Sequence, residues 1–139
     1  LELPMLLKLG ILPVTHGTPP YGLYEHPARS EMIPPHRTDT GAFLIAEVLG
    51  AKNCIIGKNV DGLYTEDPFK NPDADLIRDI TADELIRMNL QDLVLEPMVV
   101  ELLQDAVHIR EVRIINCHKR GNLEKAINGK NVGTIIRAE

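Results

Sequence analysis

The chain has 139 residues, of which 44% are hydrophobic and 25% are charged. This composition is typical of one globular domain whose core forms without disulfides or structural metal. The formal charge of −5 argues against a broad surface for nucleic acid or anionic membrane, and no apolar stretch approaches the roughly 20 residues of a membrane-spanning helix.

The two cysteines indicate a reducing compartment. Cys54 and Cys117 lie far apart, each in an apolar run, and no Cys-x-x-Cys pair occurs. We expect both to be buried, reduced thiols in a cytoplasmic protein. The first residue is Leu1 rather than Met, which we interpret as a sign that the chain derives from a longer one.

The first predicted element is a buried strand at 11–15, which leads into a long loop. Residues 16–38 contain five of the ten prolines, too many for a long helix or a central strand. Irregular segments of this length are usually functional or disordered. This one carries His16, His26 and His36, so it is the first place where we look for a site.

A helix and a strand follow this loop. Thr38 or Asp39 is predicted to cap a helix that runs through Leu49, and Gly50 provides its stop. The apolar run at 53–57 predicts a buried strand. A polar loop with turn signals at 61–62 and 67–68 comes next.

The remaining pattern alternates strands and helices. The predictions are a strand at 76–80, a helix from the capping box at 81–84 to about Met88, a helix from Pro97 to about His108, a strand at 112–116, a short helix at 123–127 and a closing strand at 133–136. Such alternation, with nearly continuous apolar strands, indicates an α/β fold with a largely parallel sheet covered by helices on both faces.

Polar residues follow the predicted strands at the positions where α/β sheets bind ligands. Lys58 stands at the entrance of the second loop, near the carboxylates of Asp61 and Asp67. A cation and backbone amides so placed could face phosphate oxygens. From spacing alone an ordinary turn-rich connection is the commoner explanation, and Thr38 and Asp39 are equally well explained as plain helix caps.

Histidines offer a weaker signal for metal. His36 and His26 could bind a metal or an oxyanion, although a lone loop histidine is more often simply solvated. Neither cysteine has a set of converging histidine partners in the sequence. We therefore expect no structural zinc site.

Two segments carry a family resemblance. Residues 57–68 (GKNVDGLYTEDP), with Pro72 and residues 80–85, resemble the ATP-side segment of the amino-acid-kinase superfamily, especially uridylate kinases. The run from Arg113 to Asn116 and the closing residues 133–136 resemble that family's last strands. The resemblance covers essentially the whole chain and implies the carboxyl-terminal, ATP-side half of the family fold.

A narrower resemblance comes from the Pro-rich loop. Residues 18–21 (TPPY) and 33–44 (IPPHRTDTGAFL) are similar to the molybdenum storage branch of the superfamily, whereas uridylate kinases have a shorter loop there. This resemblance implies ATP binding and hydrolysis coupled to molybdate or tungstate storage in trimer-based cages. Histidines of this loop, here His26 and His36, are implied as cluster contacts.

The resemblance also implies roles for individual residues, which we take as expectations. Asp39 and Lys58 are implied as the catalytic pair, and the Mg²⁺·ATP contacts are implied for Lys58, Asp61, Gly62, Tyr64 and Asp67. Thr18, Arg37 and Thr38 are implied on the acceptor side. Gly57 departs from uridylate kinases, which usually have Thr at this position.

Family members are roughly twice as long, and the Lys-x-Gly-Gly phosphate loop of their amino-terminal half has no counterpart here. We therefore expect residues 1–139 to form a single nucleotide-binding lobe. A companion chain that supplies the other half is one explanation, and loss of that half is another. The alternatives to oxyanion storage are a phosphotransferase acting on UMP and a non-catalytic nucleotide-binding domain.

Overall fold

A computed structural model describes residues 3–15, 37–91 and 93–139. The helices are α1 (Leu3–Lys8), α2 (Thr38–Leu49), α3 (Ala82–Met88), α4 (Pro97–Asp105) and α5 (Asn122–Ile127). The strands are β1 (Cys54–Lys58), β2 (Leu63–Tyr64), β3 (Leu76–Ile77), β4 (Asp79–Thr81), β5 (Glu111–Asn116) and β6 (Thr134–Arg137). Among these helices none has the length and apolarity needed to cross a bilayer.

The main sheet has four strands in the order β1-β5-β6-β4. β1 and β5 are parallel, β4 and β6 are parallel, and the central pair β5 and β6 is antiparallel. β2 and β3 form a separate antiparallel pair. The predicted α/β fold with a largely parallel sheet is confirmed, and within the described part of the main sheet only the β5–β6 pairing is antiparallel.

Helices cover both faces of the sheet. One face carries Ile56 and Ile114, which share an apolar core with Phe43 of α2 and with buried residues of α3 and α4. Side chains alternate between the faces of a strand, so Ile115 points to the opposite face. There α5 packs against β5 and β1, with Ala126 buried.

Two sequence predictions are wrong: the strand at 11–15 and the burial of Cys117. Residues 11–15 form no regular secondary structure, since Pro13 cannot donate a backbone hydrogen bond to a neighbouring strand, and Val14 is 91% exposed. Cys54 is buried, but Cys117 is exposed just beyond the end of β5. Both cysteines are free thiols, as predicted.

Local sequence signals predict some helix boundaries correctly and others not. The capping box forms as predicted: Thr81 accepts from the backbone of Glu84, whose carboxylate accepts from the backbone of Thr81. Gly50 ends α2 in the left-handed conformation, with a φ of 61°. In contrast, neither Thr38 nor Asp39 is the N-cap of α2. Both lie in its first turn and Arg37 occupies the cap position, without a side-chain cap bond.

Two further boundaries differ from the predictions. The single strand predicted at 76–80 is divided between β3 and β4, which belong to different sheets. The helix that starts at Pro97 ends at Asp105 rather than near His108. Glu47 of α2 explains this end, because its carboxylate accepts hydrogen bonds from the backbone N–H groups of residues 107–109 and holds them outside the helix.

Candidate functional site

The centre of the candidate site is an ion pair between two elements. Lys58 is the last residue of β1, and Asp39 lies in the first turn of α2. The Lys58 Nζ and the Asp39 Oδ2 are 2.7 Å apart, and about a fifth of each side chain is exposed. A half-desolvated pair of this kind keeps a cation and a carboxylate in fixed positions beside solvent.

Glu96 joins this pair to the start of α4. Its backbone N–H donates to the same Asp39 Oδ2 at 3.3 Å. Its carboxylate accepts from the backbone N–H of Arg37 at 2.6 Å and of Thr40 at 2.9 Å, the free donors at the start of α2. Burial alone would raise the pKa of Glu96, but these backbone hydrogen bonds lower it below the usual value. A remote carboxylate therefore caps α2.

An open cleft of about 600 Å³ lies beside these residues. One wall carries four residues selected from the sequence, and the other wall is the segment that leads into α4. The lining residues are Arg37, Thr38, Asp39, Lys58, Leu90, Gln91, Leu93, Val94, Leu95, Glu96 and Pro97. The cleft thus lies beyond the carboxyl end of β1, where open α/β sheets bind ligands.

A second groove of about 250 Å³ adjoins the first, and Leu93 and Val94 line both. Three predicted nucleotide contacts, Gly62, Tyr64 and Asp67, line it. The Asp67 carboxylate accepts from the backbone N–H of Phe69 at 2.9 Å, which fixes the turn at the groove's rim. Lys58 and these three residues therefore line two adjoining depressions.

Gly62 is required where the loop passes the main sheet. A Cβ at this position would clash with the Thr134 hydroxyl and would lie 3.1 Å from the Thr134 backbone N. That hydroxyl accepts from the backbone N–H of Leu63 at 2.8 Å and donates to the Ile77 carbonyl. Thr134 thereby ties the β2–β3 pair to β6, and this tie positions the loop.

Asp61 lies outside the linings of both grooves. Its carboxylate accepts from the Lys119 Nζ at 2.7 Å and the Asn116 Nδ2 at 2.9 Å. These hydrogen bonds, with Lys119 making the larger contribution, lower the pKa of Asp61. Here Asp61 braces the loop against the end of β5, and its predicted contact with nucleotide stays a prediction.

Three residues predicted to bind substrate or metal cannot be placed. Thr18, His26 and His36 fall outside the described residues. Within the described ranges, no group of three or more His, Cys, Asp or Glu residues is arranged to hold a metal ion.

Sequence reasoning missed three contributors to the site: Glu96, Asn116 and Lys119. The partners of Glu96 are 56 to 59 residues away in sequence, so no local pattern indicates its role. The sequence could have indicated Asn116 and Lys119, because Asn116 ends β5 beside Lys58 and Lys119 follows three residues later.

The sequence model of the amino acid kinase family matches residues 2–116, most of the chain. The chain belongs to the amino acid kinase family. Its relatives include the molybdenum storage protein subunit beta of Azotobacter vinelandii, 48% identical over 125 residues, which cover 90% of this chain and 46% of that protein. The uridylate kinase of Oenococcus oeni is 36% identical over 101 residues, which cover 72% of this chain and 40% of that enzyme.

Solved structures of family members share the fold. The UMP kinase from Bacillus anthracis matches with a TM-score of 0.67 at 25% identity, over 76% of this chain and 42% of that one. An isopentenyl phosphate kinase in complex with substrate matches with a TM-score of 0.62 at 25% identity, over 98% of this chain and 52% of that one. The chain spans less than half the length of the two curated relatives named above.

Proposed function

We propose that this amino acid kinase family lobe binds the phosphates of ATP beside Lys58 and serves in the storage of molybdate or tungstate. The observation that carries the nucleotide part is the Lys58–Asp39 pair at the carboxyl end of β1. The ammonium group supplies positive charge for phosphate oxygens, and Asp39 fixes its position. The family relationship supports the same ligand class.

The adjoining groove suits the nucleoside. Tyr64 offers an aromatic ring for the base, and Asp67 offers a carboxylate for ribose hydroxyls. Gly62 lets the backbone pass close to the ligand without a side chain. The combined volume of the two depressions lies within the range of pockets that hold drug-sized ligands.

Mg²⁺ would enter with the nucleotide. Mg²⁺ is usually held by phosphate oxygens, water and one or two protein carboxylates. Asp39, which lines the cleft, is the carboxylate placed to contribute. When bound, the ion would neutralise charge on the phosphates.

The storage role is supported by the 48% identity to a molybdenum storage subunit. In this proposal the oxyanion is the cargo, ATP hydrolysis accompanies its uptake, and His26 and His36 contact the stored clusters. The chain acts in a trimer-based cytoplasmic oligomer, alone or with a companion chain that supplies the other half of the family fold.

Two measurements test the proposal. Isothermal titration of Mg²⁺·ATP compares the 139-residue chain with Lys58→Met and with Lys125→Met, a control on the exposed side of α5. We expect Lys58→Met to weaken binding about tenfold or more and the control to match the parent. Equal affinity in all three would overturn the nucleotide site.

The second measurement addresses storage directly. Native mass spectrometry and metal analysis are applied to the protein from its natural source, with and without added ATP and molybdate. Many Mo or W atoms per subunit, retained only after ATP is supplied, are the expected result. A small, metal-free species that takes up no oxyanion would contradict storage.

A phosphotransferase acting on UMP is the second candidate. It is favoured by the 36% identity to a uridylate kinase and by Thr38, Asp39 and Lys58 meeting in one cleft. A coupled assay of ADP release with UMP decides between the two. UMP-dependent turnover without oxyanion retention would replace the storage proposal, and ATP binding with neither activity would indicate a non-catalytic nucleotide domain.

A further inference from the structure

A second large cleft lies at the opposite end of the sheet. Its volume is also about 600 Å³. Lys52 and Asn53 precede β1, and Glu111 begins β5, so the cleft opens at the amino ends of these parallel strands. Its lining includes Lys52, Asn53, Arg110, Glu111, Arg113, Asn128 and Gly129. Three are Lys or Arg and one is acidic, although the chain as a whole carries −5.

The deepest cation is neutralised within the protein. Arg113 is buried, and its guanidinium donates to the Glu111 Oε1 at 2.6 and 2.8 Å and to the Lys130 carbonyl at 3.3 Å. Glu111 also contacts Arg137 at 3.4 Å. The charge of Arg113 is thus paired with Glu111 inside the protein, so we treat this network as the floor of the cleft and not as its anion-binding group.

Lys52 and Arg110, the two outer cations, could bind an anion. Lys52 makes no ion pair with any residue that the structure describes. Arg110 donates to the Ala106 carbonyl at 2.9 Å and to the Glu139 carboxylate at 2.8 Å, but 88% of the Glu139 side chain is exposed. Solvent-exposed ion pairs contribute little free energy, so another oxyanion can take the place of this carboxylate. Asn53 and Asn128 add amide groups beside the two cations.

We propose that this basal cleft, defined by Lys52, Arg110 and the Arg113–Glu111 floor, binds a small multivalent oxyanion such as a phosphate ester. The Arg110–Glu139 contact shows that a carboxylate already fits against the outer guanidinium. Lys52 lines the same cleft and provides a second positive charge, which favours an anion that carries more than one negative charge. The site is separate from the cleft at Lys58 and does not depend on the nucleotide proposal.

The test uses pyrophosphate as the probe. Binding to the 139-residue chain is followed by two-dimensional NMR at constant ionic strength, so that both clefts are observed in one experiment. We expect saturable shifts of the Asn53, Asn128 and Gly129 amides in addition to any shifts at residues 59–62. Shifts confined to residues 59–62, or no saturation at residues 53, 128 and 129, would overturn the proposal.

Variants assign the binding to the cleft. Lys52→Gln and Arg110→Gln should each weaken pyrophosphate binding at the basal cleft about tenfold, whereas Lys125→Gln, which removes an exposed charge of the same sign, should leave it unchanged. Lys58→Gln should change only the pyrophosphate-induced shifts of residues 59–62. An equal effect of Lys125→Gln would show general charge attraction and contradict a built site. Unchanged chemical shifts elsewhere confirm that each variant is folded.

Discussion

The Lys58 ammonium and the Asp39 carboxylate are 2.7 Å apart, although the two residues belong to different elements and are separated by 19 positions in sequence. This contact brings the end of β1 to the start of α2. Glu96 then ties the same carboxylate to α4. The site is therefore assembled from three elements, each fixed by a hydrogen bond to another.

The first prediction concerns Asp39. Asp39→Asn keeps the size of the side chain but removes the charge that holds Lys58. We expect Mg²⁺·ATP affinity and any ATP hydrolysis to fall about tenfold or more, because the ammonium group loses its fixed position. Titration calorimetry and phosphate release measure the two effects. Asp105→Asn is the control, and parent-like affinity of Asp39→Asn would contradict the positioning role.

The second prediction concerns Glu96. Glu96→Ala removes the acceptor of the Arg37 and Thr40 N–H groups, so we expect the free energy of unfolding to fall by about 1–2 kcal/mol and ATP binding to weaken. Urea denaturation and calorimetry report the two separately. Glu101→Ala, an exposed change within α4, the helix that Glu96 precedes, should alter neither. A loss of stability without a change in affinity would mean that Glu96 is purely a cap.

The third prediction is a dependence of stability on pH. Burial opposes ionisation of Glu47, but three backbone N–H groups and His108 outweigh it and lower its pKa to about 2 from 4.5. A depressed carboxyl pKa stabilises the folded state above the unfolded-state value, and this contribution is lost as the pH falls from about 4.5 to about 2.

Glu47→Gln should therefore reduce the free energy of unfolding by about 2 kcal/mol at pH 7, and the difference from the parent should shrink as the pH is lowered through this window. Chemical denaturation at several pH values measures it. Glu101→Gln serves as the matched control. A difference that is constant from pH 7 to pH 2 would exclude the carboxylate charge as the cause.

The fourth prediction distinguishes the two thiols. Cys117 is exposed, whereas Cys54 is buried, and burial with the nearby Asp39 charge raises the pKa of the Cys54 thiol to about 11. Since the thiolate is the reactive form, iodoacetamide at pH 8 should modify Cys117 alone in the folded protein and both in urea. Peptide mass spectrometry identifies the sites. Modification of Cys54 at the rate of Cys117 would contradict its burial.

The fifth prediction concerns Thr134. Thr134→Val leaves the Leu63 N–H and the Ile77 carbonyl without their partner, so we expect a loss of about 1–3 kcal/mol in the free energy of unfolding and weaker ATP binding through a displaced loop. Thr134→Ser keeps the hydroxyl and should retain most of the stability and most of the ATP affinity. Thermal denaturation and calorimetry compare the variants. Equal stability and equal affinity of Thr134→Val and Thr134→Ser would contradict the role of the hydroxyl hydrogen bonds.

The sequence predicts those elements whose causes are local. The Thr81–Glu84 capping box spans four residues and forms as expected, and Gly50 ends α2 because its left-handed φ is available to glycine. A strand also needs a neighbouring strand to pair with, so the apolar run at 11–15 is not sufficient to predict a strand there. Lys58 and Asp39 were selected from the family resemblance, but Glu96 was not, since its partners are more than 50 residues away.

The link between Glu96 and α2 bears on how the site forms as the chain folds. Its hydrogen bonds close loops of 56 to 59 residues, and closing long loops costs chain entropy before the new contacts repay it. We expect the cleft to be completed late in folding, after the local helices. A ligand of this cleft would then bind the native state and not its partly folded precursors, so the melting temperature should rise with ligand concentration.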